Sequence, residues 1–265
     1  RLADVNDTVD GQTIKGAGDV ALMKFDSAGK LVYTRTLGAS ADATGLGLAV
    51  GPDGQIAVSG SVTGGFAASG VPIGSGALET VPKVLKADNG VDETKPDSFV
   101  AVFSAAGDEV WSQRMGARDD DEATSVAFGA DGSLYVLGRT KGAMPGQTTS
   151  GNWDSYLRAF DAEGRLKSTT QFGTSGEDKP AGLVVDGTNV VVASIEGGEV
   201  KLRRYDMTDP KAPVLAANRS LGALGLLMVG AFSGKEAART VSLLAIVLLV
   251  GAAGTVIDGG NGAAF

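Results

Sequence analysis

The chain has 265 residues, of which 43% are hydrophobic and 40 are glycine, so it can bury a core and has the residue that many short turns require. It contains neither cysteine nor histidine, which excludes thiol nucleophiles, imidazole bases, disulfides, zinc sites and haem from this chain. The formal net charge of −8 argues against a nucleic-acid partner, because phosphate binding requires clustered Lys and Arg.

A pattern of twenty residues occurs three times between residues 19 and 173. Its copies are DVALMKFDSAGKLVYTRTLG from Asp19, DSFVAVFSAAGDEVWSQRMG from Asp97 and DSYLRAFDAEGRLKSTTQFG from Asp154. Each copy has an aromatic residue six positions after the Asp, a Gly at ten, and a hydrophobic residue followed by Gly at its end. A fourth copy, EVKLRRYDMTDPKAPVLAANRSLG, begins at Glu199 and carries a four-residue insertion. Constant spacing between diverged residues indicates a structural repeat of two strands around a turn.

The last Gly of each copy ends the second strand, where we expect the chain to turn back. These glycines are Gly38, Gly116, Gly173 and Gly222. We expect them to be structural, with backbone strain opposing a larger residue at each position.

A second pattern follows nine residues after the closing Gly of the first three copies. Its copies are GLAVGPDGQIAVSG from Gly47, SVAFGADGSLYVLG from Ser125 and GLVVDGTNVVVAS from Gly182. Each is an apolar run, an Asp-Gly type turn and a second apolar run, which predicts a β-hairpin. One repeat is therefore four strands, and starts at 19, 97, 154 and 199 give intervals of 78, 57 and 45 residues. The shortest interval is near the length of one propeller blade.

These repeats resemble the bacterial SBBP-type β-propeller repeat, with the pattern D-x-F-V-x-x-F-D-x-x-G, then W or Y, L-G, and later D-G-x-x-Y-V-x-G. The resemblance covers Asp19 to Tyr205. It implies an all-β propeller of several four-stranded antiparallel blades, in a segment of a larger propeller-containing protein, and it implies no catalytic residue.

In propellers of this kind the GLAV-type strand lies nearest the axis and the VWSQ-type strand is outermost. The resemblance therefore implies blades at about 46–116, 125–173 and 182–222, with 19–38 as the outer half of another blade. Inner strands that are buried on both faces are near-continuous apolar runs. We expect the inner strands to include Leu48, Val50, Val126, Phe128, Leu183 and Val185.

The end of the chain departs from this pattern. We expect residues 1–222 to form blades and residues 223–265 to belong to the same domain as an atypical apolar segment. Its run VSLLAIVLLVGAAGTVI, at 241–257, has three interpretations: irregular buried blade strands, which we favour, a helix packed on the propeller, or a membrane segment.

The most concentrated charge is the stretch RDDDEA at 118–123. Adjacent carboxylates repel one another unless they are solvated or bridged by a cation. Two interpretations stand: a plain acidic loop, which we favour, or a weak calcium site; no other cofactor is expected. The residues concerned are Asp119, Asp120, Asp121 and Glu122.

Paired carboxylates can also hydrolyse glycosides. The candidates are Asp42, Asp120, Glu122, Glu177 and Asp178. We expect them in exposed loops, without the apolar pocket that raises the pKa of a general acid, so the sequence favours a protein that is not an enzyme.

The binding face is predicted from loop lengths. In a four-stranded meander the connections 61–96, 117–124, 139–153 and 174–181 emerge at one end, and the short turns emerge at the other. Long or variable loops usually carry function. The partner-binding candidates are Trp153, Phe66, Asp120 and Asp178, whereas Trp111 is expected to pack between blades.

The sequence thus predicts a non-enzymatic interaction or structural module of a bacterial surface, secreted or appendage-associated protein, located outside the cell or at its surface. We expect protein partners, either other domains of the parent chain or neighbouring subunits of an assembly, and neither nucleic acid nor membrane. One alternative is a carbohydrate-active propeller that uses Asp and Glu. The other is a membrane-tethered module that uses 241–257.

Overall fold

The computed structural model describes residues 8–14, 16–64, 74–75, 83–84 and 90–221, and in these ranges the chain is all-β. The first nine strands are β1 (Thr8–Val9), β2 (Gln12–Thr13), β3 (Val20–Phe25), β4 (Leu31–Leu37), β5 (Ala43–Val50), β6 (Ile56–Val62), β7 (Gly74–Ser75), β8 (Lys83–Val84) and β9 (Asp97–Phe103). The next nine are β10 (Glu109–Met115), β11 (Asp121–Phe128), β12 (Leu134–Thr140), β13 (Asp154–Phe160), β14 (Leu166–Phe172), β15 (Lys179–Asp186), β16 (Asn189–Glu196), β17 (Glu199–Asp206) and β18 (Val214–Ser220).

Within these ranges no helix is long and apolar enough to cross a membrane. The segment 223–265, with its three interpretations, lies outside the described residues, as do Phe66 and Gly222.

The strands form antiparallel meanders in the predicted order. Sheet B contains β5, β6, β9 and β10 together with the short strand β8, sheet C contains β11 to β14, and sheet D contains β15 to β18. Sheet A contains β3 and β4, which correspond to the third and fourth strands of the other sheets, together with the short strand β7. The four-stranded sheets therefore coincide with the predicted blades. The sheets formed by the described residues do not join into a closed ring.

Successive sheets pack face to face through aromatic side chains of the fourth strand. Trp111 in β10 is 2% exposed and lies with its ring centroid 5.6 Å from that of Phe160 in sheet C. The turn residue Gly164 has a φ of 77°, and a Cβ there would lie 2.5 Å from the Trp111 ring. Tyr33 packs against Gly107 in the same way one sheet earlier. The prediction that Trp111 serves packing is confirmed, since it is buried between sheets B and C.

The first strands of the sheets are less uniformly buried than expected. Val126 in β11 is buried, and Phe128, like its counterpart in sheet D, packs partly buried against a core cluster. In β5, by contrast, Leu48 is 61% and Val50 is 66% exposed, so the expected burial is wrong there. The reason is that β5 is covered on one face only. Sheet C packs on that face through β11, whereas sheet A, on the other side, has no first and second strand among the described residues.

The insertion at 61–96 contributes strands to the outer edges of two sheets. Its residues 74–75 pair antiparallel with β4, and its residues 83–84 pair parallel with Trp111 and Ser112 of β10. Covering a free edge prevents its pairing with other chains. The described parts of this insertion therefore protect sheet edges, a role that its length alone did not predict.

Candidate partner-binding site

The connections 117–124, 139–153 and 174–181 meet at one end of sheets C and D, as the sequence predicts. The Lys141 amide donates to the Asp120 carbonyl at 3.0 Å, and the Asp178 amide donates to the Trp153 carbonyl at 2.9 Å. The short turns adjoin at the opposite end, where a Cβ on Gly132 would lie 3.3 Å from Ala162. The end that carries the long connections is called the connection end below.

Trp153 is an aromatic residue at the connection end, and it is half-buried. The guanidinium carbon of Arg139 lies 4.2 Å from the centroid of its ring, and Lys141 Nζ lies 5.0 Å from it. Arg139 and Lys141 are two positions apart at the end of β12, so extended backbone directs both to the same side. Two cations therefore hold the indole by cation–π attraction.

Acidic side chains from two connections, 117–124 and 174–181, complete this group. Arg139 Nε donates to Glu122 Oε2 at 2.8 Å, and its Nη1 lies 3.6 Å from Glu177 Oε1. Lys141 Nζ donates to Asp120 Oδ2 at 2.6 Å, and this hydrogen bond raises the pKa of Lys141. The Trp153 cluster consists of Asp120, Glu122, Arg139, Lys141, Trp153 and Glu177.

The structure brings together predicted residues that are far apart in the sequence. Asp120, Glu122, Trp153 and Glu177 were each candidates, and all four lie in the cluster. Sequence reasoning missed the two cations that join them, Arg139 and Lys141. The signal was an alternating Arg-Thr-Lys directly after a predicted strand, which places both cations on one face at the sheet end.

The four acidic residues of 119–122 do not converge on one point. Asp119 lies 3.6 Å from Lys95, while Asp120 and Glu122 pair with different cations of the cluster. Asp121 is fully buried. Over the described part of the chain, no three acidic side chains are arranged to hold a metal ion. Calcium binding here stays a prediction, without a preformed set of ligands.

Asp121 belongs to a buried arrangement that joins sheets B and C. Gly116, which directly follows β10, lies between two carboxylates: a Cβ there would be 2.6 Å from Asp97 Oδ1 and 2.6 Å from Asp121 Oδ2. The amide of Ala117 donates to Asp121 Oδ2 at 2.8 Å. This set, Asp97, Gly116 and Asp121, is called the Asp–Gly–Asp junction.

A second junction joins sheets C and D. A Cβ on Gly173 would lie 2.6 Å from Asp154 Oδ1 and within contact distance of Asp178, whose Oδ2 accepts from the Thr174 amide at 2.6 Å. Asp178 is fully buried, so the expectation that it lies in an exposed loop is wrong, and it offers no surface to a partner. The missed signal is the constant spacing: an Asp follows the closing Gly by five residues in both copies.

The closing glycines are structural for a different reason from the one expected. Glycines with a left-handed backbone include Gly107 and Gly164, but not Gly38, Gly116 or Gly173. Backbone strain therefore does not explain them. The neighbouring carboxylates leave no room for a side chain.

The pKa of Asp121 makes stability depend on pH. Burial raises this pKa from 3.8 to about 7, and the charge of Asp97 acts in the same direction. Between these two pKa values the folded protein binds more protons than the unfolded chain, so its free energy of unfolding decreases as the pH rises from about 4 to about 7. Asp121→Asn removes this group from the titration.

We expect urea midpoints of the unchanged protein to be higher at pH 5 than at pH 8, and this difference to shrink in Asp121→Asn. An identical pH dependence in the two proteins would show that Asp121 does not carry it.

The chain was compared with family models, curated proteins and solved structures. No family model matches the chain. The chain is 44% identical over 220 residues to the regulatory protein FlaEY of Caulobacter vibrioides, a match that covers 78% of this chain and 22% of that protein. The chain therefore spans about a fifth of the length of this relative.

Among the solved structures that resemble the chain are two rhamnogalacturonan lyases. The exotype enzyme YesX gives a TM-score of 0.36 at 13% identity and covers 76% of this chain and 36% of its own. The Bacillus licheniformis enzyme PL11 gives a TM-score of 0.33 at 13% identity, with coverages of 80% and 39%. Scores this low bear on neither fold nor activity.

Proposed function

We propose that the chain is a non-enzymatic β-propeller module of SBBP-type repeats that binds a protein partner through its connection end. We place it in a bacterial surface, secreted or appendage-associated protein that acts outside the cell. The ordered meanders of sheets B, C and D support the propeller, because sheets of this order pack side by side around an axis.

The Trp153 cluster is the observation that carries the binding proposal. An aromatic side chain that is half-buried and fixed by two cations loses little conformational freedom on binding, and such residues commonly dominate the affinity of protein interfaces. Charged side chains of both signs surround Trp153. They suit a protein interface, in which polar contacts commonly surround the buried centre. The sheets below the cluster provide a rigid support.

The relative supports a binding role. It is called a regulatory protein, and a module that engages another protein without chemistry of its own is consistent with regulation. Since this chain corresponds to 22% of that protein, the proposal concerns the module alone.

The carboxylates support a role without catalysis. Glu122, Glu177 and Asp120 each face a cation, whereas a general acid needs an apolar setting that retains its proton. Asp121 has a raised pKa, but its side chain is fully buried and cannot reach a substrate. The carbohydrate-active alternative therefore has no suitable pair among these residues.

The test is photocrosslinking in the bacterium that carries the gene. A photoreactive phenylalanine analogue is placed at position 153 of the full-length protein, and at position 214 in a control protein. Val214 is 61% exposed on β18, away from the cluster. We expect a defined protein adduct from position 153 and none from position 214.

The partner identified by mass spectrometry is then titrated with purified variants. We expect Trp153→Ala to weaken the affinity at least about tenfold, as for a central interface residue. Its thermal midpoint should stay close to that of the unchanged protein, because Trp153 is only half-buried. Absence of an adduct at 153, or unchanged affinity of a folded Trp153→Ala, would place the function elsewhere.

A further inference from the structure

A groove adjoins the Trp153 cluster at the connection end. It has a volume of about 560 Å³ and lies between the connections 117–124 and 139–153. The ion pair between Lys141 and Asp120 links it to the cluster, because Lys141 contacts the Trp153 ring and the next residue in the chain lines the groove. The lining residues are Gly90, Arg118, Asp119, Gly142, Ala143 and Pro145.

The floor of the groove is fixed by buried packing. Ala117 is 2% exposed and forms a small core cluster with Met144 and Tyr156. Two glycines of the lining pack directly on Ala117. A Cβ on Gly142 would lie 2.6 Å from Ala117 Cβ, and a Cβ on Gly90 would lie 3.0 Å from Ala117 Cα. The groove therefore has a defined floor before a partner binds.

One wall of the groove is held in place by Gln171 of β14. Its Oε1 accepts from the Met144 amide at 2.9 Å, and its Nε2 donates to the Gly142 carbonyl at 3.1 Å. The Gln171 amide donates to Gln147 Oε1 at 3.0 Å. The stretch 142–147 is thus attached to sheet C by three hydrogen bonds, although it belongs to a connection between strands.

Arg118 is the cation of the groove. Its side chain is exposed, and over the described ranges it makes no hydrogen bond or ion pair. Asp119, the other charged residue of the lining, lies 3.6 Å from Lys95. Both cations of the Trp153 cluster are paired with carboxylates. The guanidinium of Arg118 is therefore available to an anion from outside the chain.

The repeat itself does not require a cation at this position. Arg118 stands two positions after the closing Gly of its copy, where the copies that begin at Asp19 and Asp154 have Ser40 and Ser175. The chain leaves the fourth strand at these places without a cation. This difference favours a role for Arg118 in binding over a role in folding.

We propose that this groove binds an Asp or Glu side chain from an extended segment of the protein partner, and that a neighbouring apolar residue of the same segment contacts Trp153. The planar guanidinium of Arg118 offers two parallel donors to the carboxylate. The formal net charge of −8 disfavours an acidic segment at sites that lack such a cation, so Arg118 gives specificity. This inference rests on the proposed function, because it describes the partner of the same surface.

The test selects peptides from a random linear library, displayed on phage, against the purified full chain. We expect the selected peptides to carry an Asp or Glu near an apolar residue. Selection against Arg118→Gln should lose the acidic preference, and selection against Arg118→Glu should replace it with a preference for Lys or Arg. Arg118 is exposed, so both variants should fold.

One selected peptide is then titrated against matched variants. Arg118→Gln should weaken its binding at least about tenfold, and so should replacement of its acidic residue by the amide. The two changes together should cost little more than either one, because both remove the same contact. Arg219→Gln changes another exposed arginine, on β18, and should leave the affinity unchanged.

The two tryptophans of the chain locate the bound peptide by NMR. We expect the indole N–H signal of Trp153 to shift during the titration. The signal of Trp111 should stay in place, because Trp111 is 2% exposed and lies between sheets B and C. A peptide that leaves the Trp153 signal unchanged would overturn the inference.

The library result also separates this inference from the proposed function. Peptides that require Trp153 but show no acidic preference, or an acidic preference that survives Arg118→Gln, would overturn the inference and leave the proposed function intact. A selection that yields no peptide dependent on Trp153 would contradict both.

Discussion

Gly116→Val should lower the free energy of unfolding by about 3–5 kcal/mol, which is the largest effect that we expect from one substitution. The added Cβ would lie 2.6 Å from carboxylate oxygens of both Asp97 and Asp121. Both carboxylates are buried and hydrogen-bonded, so they can move only by giving up their partners. The cost combines overpacking with the loss of buried polar contacts.

The matched control is Gly176→Val. Gly176 also precedes the first strand of a sheet, but it is exposed, and its Cβ would meet only Thr174 Oγ1, at 3.7 Å. We expect a change within about 0.5 kcal/mol. Urea unfolding followed by circular dichroism measures both variants, and a Gly116→Val protein as stable as the control would contradict the junction.

Asp97→Asn should destabilise the protein more than Asp154→Asn, by about 2 kcal/mol. The two residues begin equivalent third strands, and both are fully buried. Asp97 Oδ2 accepts from Arg114 Nε at 2.8 Å, whereas Asp154 Oδ2 accepts from Gln171 Nε2 at 2.8 Å. Asp97→Asn leaves the buried guanidinium of Arg114 without its counter-ion. Asp154→Asn leaves two neutral amides, the introduced one and that of Gln171, that can still hydrogen-bond to each other.

Arg114 adds to this difference because it also donates to the Gly64 carbonyl at 2.6 Å and so ties β10 to the end of β6. Urea unfolding at pH 8, where the Asp97 carboxyl is ionised, gives the comparison. In the double variant Asp97→Asn, Arg114→Gln, we expect much of the loss to be recovered. Equal losses in the two single variants would show that the Arg114 charge contributes little.

The strand order could be predicted because it depends on spacing, which the sequence displays directly. The Asp at the start of each copy, the turn Gly and the closing Gly kept their distances, and the meanders of sheets B, C and D follow. Burial of individual strands depends on the neighbouring sheet instead. Leu48 was expected to be buried because its strand pattern is apolar. It is exposed because sheet A, which would cover it, lacks its first two strands among the described residues.

The candidate site was predicted in its location but not in its composition. Loop lengths identified the connection end and Trp153, whereas the pairing of Arg139 with Glu122 and Glu177 depends on how two sheets approach one another. The acidic residues were considered as a group because they are adjacent in sequence. Alternation along β11 separates them: Asp121 points inward and Glu122 outward.

The Asp–Gly–Asp junction also bears on how such a chain changes its number of repeats. Each junction takes an Asp and a Gly from one sheet and its second Asp from the next, so neither sheet holds a complete set by itself. The sequence repeat, which runs from Asp97 to just before Asp154, contains all three components. A duplication of that unit adds one complete set to the array, and no carboxylate is left without its neighbours. Lengthening by whole units therefore preserves the junctions between sheets, whereas a cut at a sheet boundary separates the parts of one.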